Sequence, residues 1–326
     1  DLIPIADGGE GMLSVMLNSV QGTVQTVWAH NPCMKLLPAE YGISSDGTTA
    51  FIEMAAISGL PLITEEQRNP MKTTSYGTGE LIRDALEKGC TRFIVGIGGS
   101  ATNDAGTGML QALGFQFLDK AGNTLGQGGK ILGNVVHICT QKVHPLLKNA
   151  HFIVACDVNN PFHGSEGAAH TYARQKGADD TMIAALDEGM RSFAQVIHQE
   201  TGKDIATLPG SGAAGGMGGG MMAFLHAELK PGADLLLDLS RFEERIADAD
   251  LIITGEGRID RQSLMGKIPG KILQKGKERN IPVIALVGCT EDEDQLKEGG
   301  FTKIYTIKPK EMSLEESMRK DVAIQN

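Results

Sequence analysis

The sequence predicts an α/β protein in which a doubly wound parallel sheet, assembled from residues 1–21 and 236–326, carries a second α/β domain over residues 22–235 as an insertion. Three observations point there. Beyond residue 234, helical and strand-like segments alternate regularly, the pattern of a parallel sheet wrapped by helices. That run holds too few strands to stand alone, while the apolar stretch at 1–6 has no partner near it in sequence, so joining the two is the economical solution. And 326 residues exceed the roughly 250–300 that one hydrophobic core supports, so two domains with a cleft between them are expected.

Taken in order, residues 1–6 read as a short strand running into Asp7-Gly8-Gly9, after which Met12, Val15, Met16, Leu17 and Val20 recur at helical spacing. The β-branched stretches 24–27 and 50–52, broken by Asn31-Pro32 and Asp46-Gly47, predict antiparallel strands and a hairpin. Residues 79–88 form an amphipathic helix stopped by Gly89, and 92–97 a buried strand that opens into a polar, glycine-rich stretch at 98–106. A second such strand, 152–156, opens into Asp157-Val158-Asn159-Asn160-Pro161, with a helix over 181–199 to follow. A glycine-dense segment at 210–220 leads into the apolar run 221–225. The regular C-terminal part then predicts helices over 241–247, 264–279 and 292–298 and strands over 251–254, 282–287 and 303–307.

Composition removes several functional classes. A net charge of −10 argues against nucleic acid or an anionic membrane as the main partner, since both demand a basic face. Cys33, Cys90, Cys139, Cys156 and Cys289 are odd in number and lack CxxC spacing, so neither a disulfide framework nor a zinc site is expected, and a reduced, cytoplasmic setting fits them. No apolar run approaches a membrane span. The eight histidines show no paired metal spacing, Ser100 lies outside a GxSxG elbow, and no Walker A loop is present, because Gly266-Lys267 and Gly270-Lys271 lack its flanking residues. Forty-two glycines, without a collagen period, imply many tight turns or close approaches to a ligand. A chain opening on Asp1, in what reads as a mid-fold strand, is expected to be a fragment with a segment missing upstream.

Four predicted strands end in polar or glycine-rich turns, at 6–11, 97–100, 156–159 and 254–260. In parallel sheets such turns face one crevice, with helix N-termini pointing into it. Their carboxylates, Asp7, Asp104, Asp157, Glu256 and Asp260, could hold Mg²⁺ or accept a hydroxyl proton, while glycine amides receive phosphate oxygens. That is the equipment of phosphoryl transfer. Plainer readings stand beside each. Ser100 or Asn103 could cap a turn, Asp7 could cap a helix, and Asp157 could bond its own backbone. The 210–215 segment formally matches GxGxxG but follows no convincing strand, so close helix packing or approach to a phosphate fits better than dinucleotide binding. Lys176 and Lys267 could each neutralise phosphate charge, although a solvated side chain is the ordinary fate of lysine.

The strings IADGGEG (5–11), FIEMAA (51–56), TSYGTGELI (74–82), GIGGSATND (96–104), CDVNNP (156–161), GAAGGMG (212–218) and ITGEGRID (253–260) closely resemble the type I glycerate kinases, of the bacterial glycerate 2-kinase branch. The resemblance runs from Asp1 to about Ile307; the family's opening strand-helix unit with its Ala-Pro-Asp-Ser-Phe-Lys-like motif has no counterpart here, and the tail after Lys310 is expected to stop short of the family's final helix. It implies a flavodoxin-like domain with a second α/β domain inserted. It also implies phosphorylation of D-glycerate at the 2-hydroxyl by ATP with Mg²⁺. On the matching positions, Asp157 or Asp7 would take the hydroxyl proton, and Glu256 or Asp260 would position Mg²⁺. Gly98, Gly99, Ser100, Thr102, Asn103, Gly215 and Gly216 would line the nucleotide, with Lys267, outside the matching strings, expected beside them for its charge, and Gly8, Gly9, Ser75, Asn159 and Arg258 would line the acid. The partners expected are those two small molecules, with a homo-oligomer allowed. The competing readings are a non-catalytic metabolite-binding protein on the same fold and a nucleotide-linked oxidoreductase.

Overall fold

In the computed structural model, residues 1–5, 12–259, 267–290, 293–308 and 312 are described. The chain divides into two units, one of Asp1–Asp7 with Ala233–Asn326 and one of Gly8–Gly232.

The larger unit opens with helix α1 (Met12–Val20) and the strands β1 (Thr23–His30), β2 (Leu36–Ile43) and β3 (Thr49–Glu53). After α2 (Ala55–Ser58), helix α3 (Tyr76–Glu87) leads to strand β4 (Arg92–Gly96) and helix α4 (Thr107–Ala112). A small ribbon, β5 (Gln116–Leu118) with β6 (His137–Cys139), precedes β7 (His151–Ala155). Helices α5 (Ala168–Tyr172), α6 (Asp180–Thr201) and α7 (Ala213–Leu225) and strand β8 (Glu228–Lys230) complete it.

Six strands form one mixed sheet in the order β1-β2-β3-β4-β7-β8. β2 pairs antiparallel with both β1 and β3, as the intervening turns predict: Asn31 accepts from the amides of Cys33 and Lys35 at 3.0 and 2.9 Å, and Asp46 from Thr48 at 3.0 Å. From β3 to β8 the pairing is parallel. There β4 and β7 are nearly all apolar along their length, as strands covered on both faces must be. Phe93 of β4 and Phe152 of β7 stack with centroids 4.7 Å apart. Helix α1, counted with the first domain in the sequence reading, packs in this unit instead, because its Leu17 fills the hollow left by Gly22 and Gly42.

The smaller unit contains α8 (Gly232–Leu239), α9 (Phe242–Arg245), β9 (Ile252–Ile259), α10 (Ile268–Glu278), β10 (Val283–Thr290), α11 (Glu293–Glu298) and β11 (Lys303–Thr306). Its three strands form a parallel sheet in the order β11-β10-β9, the alternation the sequence predicts. Two expectations are corrected here. Residues 1–5 form no strand: Pro4 lacks the N–H that a ladder needs, and Leu2 stands exposed. The stretch 254–259, read as a turn, continues β9, because its backbone pairs with β10 as far as Ile259 opposite Thr290. Continuous pairing outweighs the turn tendency of Gly255 and Gly257, and the two strands come so close that a Cβ on Gly288 would meet the Gly257 carbonyl oxygen at 2.3 Å.

Candidate active site

A cavity of about 330 Å³ opens at the carboxyl ends of the adjacent parallel strands β4 and β7. Its size lies at the lower end for small-molecule sites and suits a short polyanion or a small acid. One wall is the loop after β4, Ile97 to Ser100; the other runs from Ala155, the last residue of β7, to Val158; Tyr172 at the end of α5, with Gln175 and Lys176 beyond it, closes the cavity.

The first loop is tightly built. Gly99 takes φ +70°, a conformation natural to glycine. Its carbonyl accepts from the Leu60 amide at 2.9 Å, and the Ala101 amide donates to the Ser58 carbonyl at 2.9 Å, which clamps the loop to the segment after β3. Among the described residues the amides of Gly98, Gly99 and Ser100 have no acceptor, and a Cβ on Gly98 would meet nothing within 4 Å. Three polar N–H groups beside open space form a cradle suited to an oxyanion.

Behind the loop lies Asp104, fully buried, accepting from the Ser75 amide at 2.8 Å, the Ser75 hydroxyl at 2.9 Å and the amides of Gly106 and Gly108 at 3.2 and 3.3 Å. Burial pushes its carboxyl pKa up against the pull of these donors. Lys176 reaches in from the turn that follows α5: its Nζ donates to the Ser100 hydroxyl at 2.7 Å and to the Thr102 carbonyl at 2.6 Å, with only 1% of the residue exposed. Burial pulls its pKa down to about 7, with the Asp104 charge opposing. On the β7 side, Asp157 is exposed in the cavity wall, and one of its oxygens accepts from the Gly232 amide at 2.9 Å. Tyr172 donates to the Asn160 side-chain oxygen at 2.5 Å, and burial pushes its phenol up.

The structure thus brings Gly98, Gly99, Ser100 and Asp157 to one cavity. It puts other expected contacts elsewhere. Ser75, Thr102 and Asn103 are wholly buried, because the Asp104 knot draws the chain inward once past Ser100. Gly215 and Gly216 are buried behind the same loop, where a Cβ on Gly215 would meet the Thr102 carbonyl oxygen at 2.1 Å; they serve backbone packing, so the GxGxxG match is not a dinucleotide turn. Asn159 is exposed outside the cavity lining. Glu256 and Arg258 lie along β9, and Lys267 at the start of α10, all in the smaller unit. Asp7, Gly8, Gly9 and Asp260 fall outside the described residues. Sequence reasoning gave Tyr172, Gln175 and Leu60 no part, and read Lys176 either as a neutraliser of phosphate charge or, by default, as a solvated side chain. The one available signal was its place between Ala173 and Ala178, small residues that are themselves buried.

Among the described residues no group of three or more His, Cys, Asp or Glu side chains stands ready to hold a metal ion, and no helix there is long and apolar enough to cross a membrane.

Comparison with known proteins gives one consistent result. The family model described as the glycerate kinase family matches residues 1–324. Glycerate kinase of Halalkalibacterium halodurans is 45% identical over 98% of this chain and 84% of its own length. Glycerate 2-kinase of Escherichia coli K12 is likewise 45% identical, over 97% and 84%. A crystal structure described as a candidate glycerate kinase 2 from Salmonella typhimurium LT2 superposes with a TM-score of 0.87 at 42% identity, covering 96% of this chain and 82% of that one. The chain belongs to the glycerate kinase family and is a kinase.

Proposed function

We propose that this enzyme transfers the terminal phosphoryl group of ATP to the 2-hydroxyl of D-glycerate, giving 2-phosphoglycerate and ADP. The observation that carries the reading is the convergence, at the ends of β4 and β7, of the Gly98–Gly99–Ser100 amides with the Asp157 carboxylate around one cavity. The name of the Escherichia coli relative supports the position of transfer. Phosphoryl transfer asks a protein mainly for positioning and for neutralisation of charge, and an amide cradle facing a carboxylate supplies both. The amides would hold phosphate oxygens. Asp157, kept in place by the Gly232 amide, would accept the proton of the attacking hydroxyl through its other oxygen.

Mg²⁺ is part of this reading. It is commonly held by one or two carboxylates together with substrate phosphates and water, so a cage of three protein ligands is not required. Glu256 fits that chemistry: one oxygen accepts from the Gly257 amide at 3.1 Å and the other is left for a cation. Asp260 is proposed beside it. Bound Mg²⁺ supplies charge neutralisation on the triphosphate. The flavodoxin-like domain with a second α/β domain inserted is proposed to follow the two units. A cytoplasmic setting agrees with five free cysteines.

The test is ADP release with D-glycerate and MgATP, followed by identification of the phosphorylated product. 2-Phosphoglycerate is expected, and Asp157→Asn should lower kcat by about a hundredfold or more while leaving the thermal midpoint near that of the parent. Undiminished turnover in that variant would remove Asp157 from its role, and 3-phosphoglycerate as product would overturn the assigned position of transfer.

A further inference from the structure

Lys176 is the one Lys or Arg that is buried among the described residues. A buried ammonium is costly unless well bonded, yet no carboxylate touches this one: its Nζ donates to the Ser100 hydroxyl and the Thr102 carbonyl. Because the ammonium donates to Ser100 Oγ, the hydroxyl hydrogen is left to point elsewhere, and both residues line the cavity beside the unpartnered amides of Gly98 and Gly99. The groups facing this cation are acidic or neutral: Asp104 from behind the loop, and Asp157, Cys156 and Tyr172 from the other walls. Asp104 acts on the cation without touching it and is engaged by four donors of its own, so an anionic ligand would supply the first carboxylate or phosphoryl oxygen in direct reach.

We propose that Lys176 and Ser100 form a buried ammonium-hydroxyl relay that, with the Gly98 to Ser100 amides, recognises an oxyanion of the substrates, phosphoryl or carboxylate. This rests on the reading of the cavity as a phosphoryl-transfer site. Lys176 is a positioning residue here, delivering its charge through the Ser100 hydroxyl. With no ligand its pKa lies at about 7, so above that pH it is largely neutral. A bound oxyanion favours the charged form. Binding therefore takes up a proton at alkaline pH, and affinity falls as the pH rises through that range.

The experiment is calorimetric titration of the full chain at about pH 8 in two buffers of different ionisation heat, with the protons carried by each free probe at that pH counted separately. The probes are ATP, D-glycerate and inorganic phosphate in separate arms. Uptake of about one proton is expected with the probe that occupies the relay; uptake with ATP or phosphate but not glycerate assigns it to phosphoryl, and the reverse to carboxylate. Lys176→Met should abolish the uptake, weaken that probe by about tenfold or more and raise its KM, leaving the KM of the other substrate near the parent value; Lys176→Arg should restore part of the affinity. Ser100→Ala should weaken binding by roughly threefold to tenfold with the uptake retained. If Lys176→Met does not fold, the parent protein's uptake and Ser100→Ala decide. Binding without uptake, or uptake that survives in Lys176→Met, overturns the relay. A parent protein that releases ADP with glycerate yet takes up no proton sinks the relay alone, whereas one that binds with uptake but phosphorylates no glycerate sinks the functional reading and keeps the relay.

Discussion

Two glycine-rich segments pack near one another and use the same residue for opposite ends. At Gly98 a Cβ would project into open space, so the missing side chain leaves room for a ligand. At Gly212, Gly215, Gly218 and Gly220 a Cβ would meet backbone carbonyl oxygens at 2.1 to 2.3 Å, so the missing side chain leaves room for the protein itself. The first segment is a wall of the cavity. The second is the backing that lets α7 and its kinked start lie against residues 102–105, where the Ala105 amide donates to the Gly215 carbonyl at 3.0 Å. Glycine content alone therefore says nothing about function until the direction of the absent Cβ is known.

Alanine substitutions probe this difference directly. Gly215→Ala combines φ +69° with the collision against Thr102, and it should cost about 3 kcal/mol or more in urea unfolding; a loss under about 1 kcal/mol would mean that the second segment is not backing at all. Gly99→Ala should cost about 1–2 kcal/mol, set by its positive φ, since the nearest obstacle is the Ala55 Cβ at 3.2 Å. Gly98→Ala should change stability by less than about 0.5 kcal/mol while raising the KM for nucleotide roughly tenfold by filling the approach to the amides. A Gly98→Ala enzyme with parental kinetics would deny that segment its ligand.

Much of the fold was open to reading. The antiparallel start was written in Asn31-Pro32 and Asp46-Gly47, and the parallel C-terminal sheet in its regular alternation. Strands β4 and β7 announced themselves as apolar runs, and the loops after them, Gly98 to Ser100 and Asp157, do share a cavity. The positions that differ from the sequence reading share a physical cause, that local polarity does not report burial. Ser75, Thr102 and Asn103 look like ligand contacts by type, but a chain that must satisfy a buried Asp104 draws polar groups inward. Lys176 departs the other way, a residue whose default reading was a solvated side chain and that a three-residue turn and Gly177 at φ +92° direct into the interior. Glu256 and Arg258, flanked by glycines, suggested a turn that pairing with β10 removed.

The clamp on the loop after β4 sets how the cavity can respond to a ligand. With the Leu60 amide on the Gly99 carbonyl and the Ala101 amide on Ser58, the three free N–H groups already point along fixed directions before anything arrives. Their ordering cost is met during folding, so arriving oxygen atoms encounter a finished mould, and discrimination among candidate anions falls to shape and charge rather than to adjustment of the peptide.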